Sequence, residues 1–152
     1  MENLESNSPV LNDLIRLNND RIAGYEKAIK ELNDGSTDLQ AVFHDAIVQS
    51  YQFIAGLEDA IENSGGNPKV DETTLEGKIY RSWMDIKEIL IGNDRKAILK
   101  SCIAGEDAIY SAYTDAHNIK ELPTATHLLI AQQKQSLALF GRKILALYNR
   151  EV

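Results

Sequence analysis

The chain has 152 residues, 43% of them hydrophobic, with a net charge of −7 and a pI near 4.9. That is the length of one domain with a full core, and the acidic balance excludes nucleic acid, whose binders need a basic field to displace counterions. No run approaches the ~18 apolar residues of a membrane span. The start, Met1-Glu2-Asn3-Leu4-Glu5, lacks a secretory signal's basic and apolar parts, and the single cysteine, Cys102, has no internal partner. A reduced cytoplasm is the expected location.

Residues 1–7 read as a polar, frayed start. Ser8-Pro9 opens a helix, serine as cap and proline at its first position. Leu11, Ile15, Asn18, Ile22, Tyr25, Ile29 and Leu32 then keep 4-3 spacing, a bundle seam. Asn33-Asp34-Gly35 ends it. Thr37-x-x-Gln40 is a capping box for a second helix, whose core face is Leu39, Val42, Phe43, Ala46, Phe53, Leu57, Ala60 and Ile61. Ile47, Val48, Tyr51 and Ile54 make its other side apolar as well, so a further element is expected to cover it. Asn63 to Pro68 is a loop.

Thr73-x-x-Glu76 starts a shorter third helix with the stripe Leu75, Ile79, Trp83, Ile86 and Leu90; Gly92-Asn93 breaks it. The basic residues from Lys78 to Lys100 alternate with Asp85, Glu88 and Asp94, a solvated surface. The fourth helix runs from about Arg95 to Ala116, with seam Leu99, Cys102, Glu106, Ile109 and Tyr113; Cys102 reads as a buried, inert thiol. Pro123 begins the fifth, which carries Leu128, Leu129, Gln132, Gln135, Leu139, Ile144 and Leu147. No segment alternates with period 2, so no sheet is expected.

A tight turn makes the first two helices antiparallel neighbours, and the same holds for the last two. The roughly 30 residues between the pairs suit one long crossover containing the Trp83 helix. This predicts an all-α, ferritin-like four-helix bundle over residues 1–152, with a helix in the crossover, Trp83 buried against the bundle, and residues 9–62 related to 95–149 by a pseudo-twofold.

The two pairs share a polar pattern. Glu26-x-Ala28-Ile29 precedes Gln49-x-x-Gln52, and Glu106-x-Ala108-Ile109 precedes Gln132-x-x-Gln135. The order resembles the ligand order of a ferritin-like di-iron bundle, in which each glutamine pair would be Glu-x-x-His. Glutamine is a neutral, weak ligand that does not bridge two cations. The six residues therefore read as a buried polar network or a relic metal site, with Glu26 and Glu106 at equivalent places and no metal or cofactor expected. A second alignment, Ile22-Ala23-Gly24 with Ile103-Ala104-Gly105, runs one residue out of register with the first. His44, His117 and His127 do not fall at i,i+3 from a seam carboxylate, and no phosphate loop or nucleophile elbow occurs.

Leu11-Asn12-Asp13-Leu14-Ile15, Gly24-Tyr25, Trp83-Met84 followed by Lys87, and Ala97-Ile98-Leu99 leading to Gly105-Glu106-Asp107-Ala108 resemble a bacterial ferritin-like four-helix-bundle family of unknown function. The resemblance implies the fold with its crossover helix and carries no catalytic residue; the superfamily's associations suggest a stress-related setting. The expected role is non-catalytic, structural or in protein interaction, with an unknown protein partner or a homo-oligomer. The alternative is a metal-binding or oxidoreductase-type ferritin-like protein with a reduced ligand set.

Overall fold

The computed structural model describes residues 8–32, 35–69, 72 and 95–151. Among them are four α-helices and no strand: α1 (Ser8–Glu31), α2 (Thr37–Asn63), α3 (Arg95–His117) and α4 (Thr124–Arg150). The expected third helix, with Trp83, and residues 1–7 lie outside the described residues.

The 4-3 seam of α1 becomes its buried face. Leu11, Ile15, Asn18, Ile22, Tyr25 and Leu32 are buried, while Ile29 is half-buried. On α3, Leu99, Cys102, Glu106, Ile109 and Tyr113 are all buried, as read. The start signals were less accurate. Ser8 is already helical, and its Oγ is buried close to Gly66 with no hydrogen-bond partner, so it is not the cap. Thr37 is the first residue of α2 and Ser36 holds the cap position without a side-chain cap bond. The Ser36 hydroxyl instead accepts a hydrogen bond from Arg95 Nη1 at 3.2 Å.

Directions follow from the cross-helix contacts. Asn18 meets Tyr113, while Arg21 and Tyr25 meet Glu106, so α1 and α3 are antiparallel. Phe53 meets Gln133, and Ala46 lies level with Phe140 on either side of Arg21, so α2 and α4 are antiparallel. Thus α1 and α4 rise while α2 and α3 descend. At the lower end, Asn12 donates to Asn67 O and accepts from Lys69 N. At the upper end, Arg95 holds Asp38 and Glu151. The chain between Asn63 and Arg95 must therefore return the length of the bundle, roughly 40 Å for a 27-residue helix. That is the single long crossover read from the sequence.

Its first part climbs along α1. Arg16 reaches the Glu72 carboxylate at 3.9 Å, and Asn19 donates to Glu72 O at 2.7 Å. The element expected to cover the apolar back of α2, the crossover helix, lies outside the described residues. Ile54 is buried and Ile47 half-buried, but Val48 and Tyr51 remain 53% and 57% exposed.

Candidate functional site

A continuous polar network crosses the middle of the bundle. Arg21 is fully buried, and its Nε and Nη2 donate to the two oxygens of Glu106, at 2.8 and 3.1 Å. Its Nη1 donates to Ser50 Oγ at 2.9 Å and to Ala46 O at 3.3 Å. Tyr25 Oη donates to Glu106 Oε2 at 2.9 Å. Ser50 Oγ donates to Asn18 Oδ1, and Asn18 Nδ2 donates to Leu14 O and Tyr113 Oη. Tyr113 Oη donates to Gln133 Oε1 at 2.6 Å, and Gln133 Nε2 ends the chain on Phe53 O. All four helices contribute. The guanidinium also lies 5.1 Å from the Phe140 ring centre and 5.6 Å from that of Tyr25, within cation–π range.

A buried charge survives only when paired and hydrogen-bonded. Burial alone would lower the Arg21 pKa, but the Glu106 charge and then Tyr25 hold it above the usual guanidinium value. Burial and then the Glu106 charge push the Tyr25 hydroxyl well above the usual phenol range. Burial pushes Tyr113 up as well. Arg21 stays a cation and the two phenols stay protonated.

Of the six residues read as a core network, Glu106 alone is in it. Glu26, Gln52, Gln132 and Gln135 are exposed, and Gln49 is half-buried with its Oε1 unpartnered. Glu26 and Glu106 therefore do not occupy equivalent environments. The reason is helix phase. One residue along a helix turns a side chain by about 100°, and the inward positions are Tyr25, Ser50 and Gln133, each one residue from Glu26, Gln49 and Gln132. The alternative alignment on Ile22-Ala23-Gly24 and Ile103-Ala104-Gly105 is the one that sets Tyr25 against Glu106. Arg21 was missed because an arginine in a seam reads as surface. Asn18, Tyr25 and Tyr113 stood in the predicted seams.

This donor set does not fit a di-iron centre. Its one carboxylate is engaged on both oxygens, and the remaining side chains are neutral except for Arg21, itself a cation. Among the described residues no group of three or more His, Cys, Asp or Glu could hold a metal ion. His117 and His127 pack edge to face, ring centres 5.7 Å apart, across the α3–α4 turn, and His44 is exposed. A groove of about 420 Å³ runs between α3 and α4, with Tyr110, Arg142 and Leu145 among its walls and Glu106 at its floor. Gly141 leaves room there, since a Cβ added to it would lie 4.0 Å from that of Glu106.

The family model described as a domain of unknown function (DUF2383) matches residues 6–119, from the start of α1 past the end of α3. The chain belongs to this family. The match takes in Arg21, Tyr25, Ser50, Glu106 and Tyr113, and stops before Gln133 and Phe140, which close the network from α4. No curated protein matches the chain.

Proposed function

We propose that this DUF2383 protein is a non-enzymatic, ferritin-like bundle that works by associating with protein. The observation that carries the reading is the engagement of Glu106. Both of its oxygens accept hydrogen bonds from Arg21, and Oε2 accepts another from Tyr25. A metal ion or substrate at the bundle's centre would have to displace a buried guanidinium and strand it without a counter-charge, at a cost of about 3–5 kcal/mol. The single long crossover supports the ferritin-like kinship, and the lone buried thiol of Cys102 suits a reducing, cytoplasmic setting.

The test is metal analysis of protein purified without chelator, joined to urea melts with and without iron(II) under anaerobic conditions. The reading expects under about 0.1 metal ion per chain and no shift in the melt. Iron-dependent stabilisation of the wild type that disappears in Glu106→Gln would overturn it in favour of the metal-binding alternative.

A further inference from the structure

Two of the four helices carry charge of one sign only, while α1 and α3 are mixed. Every ionised side chain on α2 is acidic: Asp38, Asp45, Glu58, Asp59 and Glu62, with no lysine or arginine. Every one on α4 is basic: Lys134, Arg142, Lys143 and Arg150, with no aspartate or glutamate. Each helix also shows apolar residues to solvent. On α2 these are Val48 and Tyr51; on α4, Leu128 and Leu139 are 59% and 57% exposed. The α4 residues lie in a 4-3-4-3 stripe, Leu128, Gln132, Gln135, Leu139 and Arg142, all exposed and opposite the buried line Ile130, Gln133, Leu137, Phe140 and Ile144. That spacing is a helix-packing seam facing outward.

From this we infer that the outer faces of α2 and α4 are the contact surface of a homodimer, α2 of each chain lying against α4 of the other. The inference rests on the reading that the protein works by association, and it names the partner as a second copy. Charge complementarity selects that partner: each copy carries both the acidic and the basic helix, neighbours on one side of the bundle. A twofold axis parallel to the helices sets α2 against the partner's α4 twice. A twofold across them would set acid against acid.

The levels match as well. Phe53 is level with Gln133 and Ala46 with Phe140. Val48 is therefore level with Leu139, Tyr51 with Gln135, and Asp45 with Arg142. Rotation about the lengthwise axis keeps these levels, so each apolar residue faces an apolar or amide group and Asp45 faces Arg142 and Lys143. Two faces about 10 Å wide and roughly 40 Å long give roughly 800 Å² per partner, the size of a standard interface. The outward glutamines Gln52, Gln132 and Gln135 become interfacial amides able to both donate and accept.

Sedimentation velocity of the full chain over a concentration series tests this. The expected result is a dimer whose Kd rises at least about tenfold in Leu139→Glu and in the pair Arg142→Glu/Lys143→Glu, and rises with salt as exposed charge pairs do. Asp45→Lys should weaken it more than Asp59→Lys, which lies nearer the lower end. Mixing the Asp45→Lys chain with the Arg142→Glu/Lys143→Glu chain should restore a mixed dimer, because reversed charges then face each other. Far-UV circular dichroism checks that each variant folds; should Leu139→Glu fail there, Leu139→Ser replaces it. A chain that is monomeric throughout overturns the inference, as does a dimer indifferent to these substitutions. The metal test above acts through Glu106, which none of these variants touches, so the two readings can fail separately.

Discussion

Two arginines of this bundle hold carboxylates in the same chemical way and in opposite surroundings. Arg21 and Glu106 have side chains 0% and 3% exposed, at the centre of the bundle. Arg95 holds Asp38 at 2.8 Å and Glu151 at 2.6 Å at its upper end, with side-chain exposures of 29%, 63% and 22%. Water can replace any partner at the upper end. At the centre the side chains are shielded from solvent, so each group depends on the others. Geometry alone does not rank an ion pair; the solvent left around it does.

Arg21→Met should show the largest effect. It leaves the Glu106 carboxyl group buried and without its counter-charge, and should cost about 3–5 kcal/mol in a urea melt. A loss under about 1 kcal/mol would put the two pairs in the same class and break the comparison. Tyr25→Phe removes one hydrogen bond to a charged oxygen and should cost about 1.5–3 kcal/mol.

The network's second signature is alkaline. The folded pKa values of Tyr25 and Tyr113 are raised, so the stability they contribute is complete below the unfolded phenol value, about 10, and is lost as pH rises beyond it. Tyrosinate absorbance from these two residues should appear together with loss of helix. Absorbance from them in the folded protein would show an interior open to base.

The upper cluster should respond weakly, and to acid. Arg95 lowers the Asp38 pKa from 3.8 to about 2. A lowered carboxylate pKa stabilises above the unfolded value, and that stability is lost as pH falls through about 4 toward 2. Arg95→Ala should cost about 1 kcal/mol or less at neutral pH, and salt should reduce the difference. Smallest of all should be Glu26→Gln, on the exposed side of α1, within about 0.5 kcal/mol. A larger loss there would mean that Glu26 takes part in the core after all.

The same contrast explains what was legible in the sequence. The four described helices and the long crossover were readable because apolar spacing repeats over many turns, and a one-residue error barely moves a helix boundary. The polar network was not, because it depends on phase, and the same one-residue error exchanges inside for outside. Gln49 for Ser50 and Gln132 for Gln133 are that error on two helices, and on α1 Glu26 was read inward beside Tyr25, which already stood in the seam. Glu106 was placed correctly because Leu99, Cys102, Ile109 and Tyr113 fix the phase of α3 around it. Arg21 left no such signal: its burial depends on Glu106, 85 residues away, and pairing over that distance is not written in local pattern.

Arg21 and Glu106 are a coupled pair, each stable inside only because the other is there. A double-mutant cycle in urea, with Arg21→Met, Glu106→Leu and the two combined, measures that coupling directly. Each single variant should lose about 3–5 kcal/mol, and the double variant should lie within about 1–2 kcal/mol of the wild type or above it, since no charge is then buried. A double variant that loses the sum of the two single losses would contradict the coupling.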